Sequence, residues 1–185
     1  AHRVRQRISA VYCYAMATGR VDRDPAAAMG KVLSPAKRRR FPAMRKLEDA
    51  REVLRAAEAI AGSATTKLAH RFLALTVVRP GVVATCPWDE LKDLNADHWL
   101  WTVPAQRMKL RLHYKADEAR DHPVPMSRQA LEVIEALKKL TSMSPYVFPN
   151  DRWFHRPLSE NALGYLLKRA DLQGRHATHG WRATF

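Results

Sequence analysis

The run Arg175-His176-Ala177-Thr178-His179-Gly180-Trp181-Arg182-Ala183-Thr184-Phe185 sets two cationic side chains where a helix is expected to begin. Thr178 is the expected N-cap, since its hydroxyl can accept a hydrogen bond from a free first-turn N–H. His179 and Arg182 then stand three residues apart on one helical face. A helix N-terminus already offers unpaired N–H groups and partial positive charge, so an imidazole and a guanidinium added there suit a phosphate oxygen. An exposed first turn with no ligand is the plainer reading of the same spacing, and the rest of the chain has to decide between them.

The 185 residues suffice for one good core, or for one domain and part of another. Lysine and arginine number 32 against 18 acidic residues, a formal charge of +14. Such an excess repels itself in a compact state, and a polyanionic partner, nucleic acid first, is its usual counterpart. A membrane surface is the competing partner, but no basic amphipathic helix carries bulky aromatics on its apolar side. The apolar run from Phe72 to Val78 is interrupted by Thr76 and too short to span a bilayer. No apolar signal-peptide core follows His2, Arg3, Arg5 and Arg7. Cys13 and Cys86 lie in apolar sequence and read as reduced thiols of a cytoplasmic protein.

In chain order, Val4, Ile8, Val11, Tyr12 and Ala15 recur at helical spacing over residues 3–18, with Arg3 and Arg7 between them as candidate DNA contacts, and Gly19 as the stop. Asp24-Pro25 is expected to open a short helix closed near Gly30. One helix and a stub cannot bury their own faces, so residues 1–33 are expected to be the tail of a domain. Residues 34–44 form a basic linker, with Lys37, Arg38, Arg39 and Arg40 either solvated or strapped across a phosphate backbone. A second domain, 45–185, starts with helices over 47–60, Leu47 among its inward residues, and over 67–78. The second helix is expected to stop at a turn, Arg79-Pro80-Gly81. A guanidinium fixed there either pairs with a carboxylate or holds phosphate bidentately. Period-two patterning then predicts strands at 90–94 and 98–103 around a turn at 95–97, with Trp99 and Trp101 on one face, and a third strand at 121–125. The basic arm between them carries Arg107, Lys109 and Arg111, solvated or laid into a groove. Ser127 and Ser159 are expected to cap two more helices, the first with Leu131, Ile134, Leu137 and Leu140 inward and the second ended by Gly174. Tyr146-Val147-Phe148-Pro149 reads as a buried extended piece. The fold class expected is mainly α with a small antiparallel β-sheet, α+β.

Taken in order, Thr76-Val77-Val78-Arg79-Pro80-Gly81, Arg107-Met108-Lys109, His122-Pro123-Val124-Pro125-Met126-Ser127, Tyr146-Val147-Phe148-Pro149 and His179-Gly180-Trp181-Arg182-Ala183-Thr184-Phe185 resemble the tyrosine recombinases, and within them integrases of the prophage type. Each motif is weak alone, but the ordered set is specific and covers the chain. The resemblance implies the last helices of a core-binding domain over 1–33 and a catalytic domain over 45–185. It implies site-specific recombination of double-stranded DNA through a 3′-phosphotyrosine, without metal or nucleotide cofactor, and self-assembly of the full-length protein on DNA. By the same resemblance Arg79 and Arg182 meet charge on the non-bridging oxygens, Lys109 is the general acid, and His179 assists proton transfer or hydrogen-bonds the phosphate. His176 and His179 lack the further ligands a metal site needs.

The sequence departs from the family pattern in places. Where the family commonly has a Glu three positions after its first Arg, this chain has Val82, and Asp89 or Glu90 is the candidate substitute for orienting Arg79. The family's second His or Trp and its nucleophile follow the His-x-x-Arg segment, and none of Tyr12, Tyr14, Tyr114, Tyr146 and Tyr165 occupies that place. The expectation is therefore a recombinase fragment, unable by itself to cleave DNA. The alternative is a non-catalytic DNA-binding prophage remnant.

Overall fold

A computed structural model of the protein describes residues 1–35, 40–94 and 99–185. The chain divides into two compact units, Ala1–Arg40 and Phe41–Phe185. Lys37, Arg38, Arg39 and the turn expected at 95–97 fall wholly outside the described residues.

In the first unit, helix α1 (His2–Ala17) stops at Gly19, whose φ of 67° lets the Gly19 and Arg20 N–H groups turn back onto Met16 and Ala15 carbonyls. None of its residues is buried; Val4, Ile8 and Val11 stay exposed, as one helix with little to pack against must leave them. Cys13 is exposed too, contrary to its apolar sequence setting. The second helix, α2 (Met29–Val32), begins later than the Asp24-Pro25 signal predicts. Asp24 instead makes a local turn, its carboxylate accepting from the Ala26 N–H at 2.8 Å and from the Ser9 hydroxyl. Gly30 lies inside α2 and does not close it.

The second unit is built around α4 (Ala64–Thr76). Ser63 caps it, and Ala69, His70, Phe72, Leu73 and Ala74 are buried by α3 (Leu47–Ala59), α5 (Pro80–Ala84), α6 (Arg128–Thr141) and α7 (Ala162–Arg169). Ser127 caps α6 as expected, accepting from the Ala130 N–H. The Phe72 ring centroid lies 5.5 Å from those of both Trp101 and Phe148, joining helix, sheet and the extended 146–149 piece in one core. Strands β1 (Leu100–Val103) and β2 (His122–Pro125) pair antiparallel, with buried Trp101 opposite buried Val124.

Several expectations change. The sheet has two strands among the described residues, because Trp88–Leu91 winds into a 3₁₀ turn where a strand over 90–94 is expected. Trp101 is buried but Trp99, beyond the paired segment, is exposed. Leu47 and Leu140 sit at the outer margins of their helices, 57% and 53% exposed. Helix α4 ends at Thr76, with Val77 left-handed at φ 54°, and Pro80-Gly81 opens α5 where a turn is expected. Pro80 suits the first helical position and holds Arg79 extended, at φ −70° and ψ 141°. Ser159 makes a turn ahead of α7 without capping it, and α7 ends at Arg169, well before Gly174. Thr178 does not cap a helix either. Residues Thr178–Gly180 form a 3₁₀ turn, and the helix α8 (Trp181–Thr184) starts after it, so His179 and Arg182 belong to successive elements.

That terminal turn is pinned from two sides. The buried Trp181 indole N–H donates to His70 Nε2 at 3.2 Å, tying α8 to the central helix. The segment 42–44 runs alongside: Ala177 N–H donates to the Pro42 carbonyl at 3.0 Å, Met44 N–H to His176 Nδ1 at 3.2 Å, and the Thr184 hydroxyl to the Met44 carbonyl at 2.8 Å. A Cβ on Gly180 would stand 2.7 Å from the Pro42 carbonyl oxygen, so only glycine permits this approach.

Two measurements follow from this packing. Phe72→Ala should lower unfolding free energy by about 3–5 kcal/mol in urea titration, whereas Leu140→Ala should stay within about 0.5 kcal/mol of the parent. His70 and His176 both accept hydrogen bonds and are buried, and burial pushes each down from 6.5 to about 4, the His176 charge adding to the effect at His70. The unfolded chain therefore binds more protons than the folded one between these values. Stability should fall as pH drops from about 6.5 to about 4, by up to about 1.4 kcal/mol per pH unit per histidine, with no further loss from these groups below that. His70→Gln, which keeps an acceptor for Trp181, should show a shallower fall; an unchanged slope would refute this account.

Candidate functional site

Arg79 precedes α5, Lys109 follows the 3₁₀ turn Ala105–Arg107, and His179 lies in the turn before α8; all three line one cleft of about 670 Å³. Lys115 and Phe41 line it as well, and the Phe41 ring stacks on the His179 imidazole at 4.8 Å between centroids. Arg182 does not line the cleft, but its charge acts on His179. The imidazole is held below the ordinary histidine value by partial burial first, then by Arg182, Arg79 and Lys109 in that order. Residues from three separate stretches of sequence thus act on one imidazole, and His179 favours its neutral form.

Among the described residues, Arg79, Lys109 and Arg182 form no ion pair. One carboxylate, Glu160, lines the cleft close to Gly81, where a Cβ would lie 3.2 Å from Glu160 Oε1. Fixed cations of this kind, with a neutral imidazole among them, can hold a phosphate-like anion, stabilise charge growing on its oxygens and pass a proton.

Arg107 does not behave as the sequence predicts. It lines the same cleft, but its guanidinium is engaged within the chain: one arm is ion-paired with Glu90, and the other donates to the Val82 carbonyl at 2.5 Å and to the Thr85 hydroxyl at 3.0 Å. It is no longer a free cation for a phosphate backbone. Glu90 correspondingly serves Arg107 and the Trp101 indole N–H, at 3.1 Å, and not Arg79; Asp89 is exposed. Arg111 is exposed beside the 3₁₀ turn Leu112–Tyr114, and Arg3, Arg7 and Arg40 are exposed in the first unit. The cleft also contains residues that sequence reasoning passed over. Phe41 reads as part of a linker, and neither Lys115 nor Glu160 carries a local signal that sets it apart from other surface charges. Among the described residues no cluster of three or more His, Cys, Asp or Glu could hold a metal ion, and no helix is long and apolar enough to cross a membrane.

Comparison with known proteins bears on this arrangement. Residues 1–32 match the family model described as the phage integrase central domain. The chain is 33% identical over 183 residues to the prophage integrase IntA of Escherichia coli (strain K12), covering 98% of this chain and 41% of that protein. It is 31% identical over 188 residues to the integrase of Enterobacteria phage P4, covering 98% and 42%. The chain therefore spans about two-fifths of the length of these relatives. Among solved structures, a lambda integrase dimer bound to a COC′ core site superposes with a TM-score of 0.64 at 16% identity, over 98% of this chain and 49% of that one. A lambda integrase tetramer bound to a Holliday junction gives 0.65 at 17% identity, over 98% and 51%. At such identities the likeness is one of fold, and the mainly helical architecture with its small antiparallel sheet is the one they share. In sequence the chain is similar to these phage and prophage integrases, and it shares its fold with the lambda integrase structures.

Proposed function

We propose that this chain supplies the phosphodiester-holding part of a site-specific DNA recombinase. The observation that carries the reading is the meeting of Arg79, Lys109 and His179 in one cleft, with the Arg182 charge acting on the same imidazole. In the reaction a tyrosine hydroxyl attacks phosphorus, the bond to the 5′-oxygen breaks, and the DNA is left joined to the tyrosine through its 3′-phosphate. Arg79 and Arg182 offset the charge that grows on the two non-bridging oxygens. Lys109 gives a proton to the departing 5′-oxygen, and neutral His179 can donate a hydrogen bond to the phosphate or relay a proton. None of the five tyrosines lines the cleft, so the reading assigns the nucleophile to a tyrosine outside residues 1–185.

The match of residues 1–32 to an integrase central domain supports reading 1–33 as the end of the DNA-binding core domain; 34–44 is then read as the linker and 45–185 as catalytic. The partner is double-stranded DNA, with the exposed Arg3, Arg7, Arg40 and Arg111 as backbone contacts, together with Lys37, Arg38 and Arg39. The full-length protein assembles with further copies of itself on that DNA. A bacterial cytoplasmic setting follows from the same reading. A DNA-binding remnant without chemistry remains the second reading, because no carboxylate is bonded to Arg79 among the described residues.

The test is a covalent-complex assay with nicked suicide substrates carrying the cognate site, on the gene product carried to its natural end. The parent should give a phosphotyrosine band that disappears when the downstream tyrosine becomes Phe. Arg79→Ala and Arg182→Ala should each lower its formation by roughly 10²-fold or more while most non-specific, salt-sensitive DNA binding persists. A normal rate in either variant overturns the assignment of that arginine. Salt-sensitive binding with no covalent band in the parent would select the remnant.

A further inference from the structure

The Arg107 bonds connect parts of the cleft that no local sequence joins. Val82 N–H donates to the Arg79 carbonyl at 2.9 Å, and the Val82 carbonyl in turn accepts from Arg107, two residues before Lys109. Two hydrogen bonds therefore link the backbone of Arg79 to the segment that presents Lys109. The Arg107 guanidinium is further fixed by the Thr85 hydroxyl at the end of α5, and by Glu90, which also accepts from the Trp101 indole in β1. The pair is largely buried, with side chains 20% and 9% exposed. On either side of Arg107 the chain is held by N–H donation from Arg107 to the Pro104 carbonyl and from Met108 to the Ala105 carbonyl, both at 3.0 Å. Lys109 itself is exposed and without an ion pair among the described residues, so its placement comes from its backbone anchor.

We propose that Arg107, held by Glu90, is a positioning residue that sets Lys109 against Arg79 across the cleft. The geometry explains how a chain with Val82 in place of a glutamate keeps these two cations in register: the link runs through the Val82 carbonyl, which any residue supplies. The proposal rests on the assignment of Lys109 as general acid, and the test is chosen to separate the two.

A 5′-bridging phosphorothiolate has a thiolate leaving group that departs without protonation, so it bypasses a general acid but still needs the arginines. Cleavage of ordinary and phosphorothiolate suicide substrates is compared in the full-length protein for Lys109→Ala, Arg107→Ala and Arg107→Lys, with thermal melts as a check on folding. Arg107→Lys keeps a cation for Glu90 but loses the second arm to Val82 and Thr85. General acids are worth about 10²–10⁴-fold, and misplacing one should forfeit about 10-fold or more on the ordinary substrate. Both Arg107 variants should recover to within about 3-fold of the parent on the phosphorothiolate, as Lys109→Ala does. If Lys109→Ala is rescued and Arg107→Lys is equally slow on both substrates, or is fast on the ordinary one, the positioning role is wrong. If Lys109→Ala is not rescued, the general-acid assignment itself fails, and the positioning role with it.

Discussion

Arg79, Lys109, Lys115 and Arg182 repel one another, and each carries a charge that no partner in the described chain neutralises. Assembling such a group without an anion present raises the free energy of the folded state, and at His179 partial burial first, then Arg182, Arg79 and Lys109, lower the affinity for a proton. Side-chain contacts among the cations cannot hold them together, since those contacts are repulsive. Their positions have to be set by backbone anchored elsewhere, and much of the second unit can be understood as that anchorage.

Three anchors do this with different physics. Arg79 is fixed locally: Pro80 keeps it extended, and the buried α5 follows at once. His179 and Arg182 are fixed by tertiary bonds, with Trp181 between them donating to His70 in the central helix and the 42–44 segment hydrogen-bonded along the other side. Phe41, next to that segment, stacks on the imidazole, so the same stretch that pins the turn also covers its histidine. Lys109 is exposed, and its segment is anchored by a largely buried ion pair two residues away. The energetic weight of the anchors sits in neutral or paired groups, which leaves Arg79, Lys109 and Arg182 without an ion pair among the described residues.

The parts of this arrangement that were legible in the sequence are those written in local pattern. Helical spacing located α1, α3, α4 and α6 to within a few residues and α7 with both ends too far out, and alternation found both paired strands. The ordered motifs single out Arg79, Lys109, His179 and Arg182; the first three line one cleft, and Arg182 does not. What was not legible depends on partners far along the chain. Trp181 and His70 are 111 residues apart, Met44 and His176 are 132 apart, and no periodicity encodes either bond. Val77 in a left-handed conformation is a β-branched residue where sequence rules expect glycine, so the early end of α4 had no signal. Arg107 looked like one more cation in a basic arm because Glu90, its partner, reads as strand and lies 17 residues earlier.

Val82 shows why such a misreading carries structural information. Its side chain is 6% exposed and packs in the core beside Val83 and Ala84, so a carboxylate at this position would have to be desolvated or paired there. The nearest guanidinium bonded to this residue, that of Arg107, already has one arm on Glu90 and the other on the Val82 carbonyl and the Thr85 hydroxyl. A second acid would compete with Glu90 for that donor unless it paired with Arg79, which lines the same cleft and has no ion pair among the described residues. With valine at position 82, the Arg107 guanidinium is left to Glu90 as its carboxylate partner. With Glu90 holding Arg107, the core gains a valine and the link from Arg79 toward Lys109 passes through main-chain atoms, where side-chain identity no longer matters.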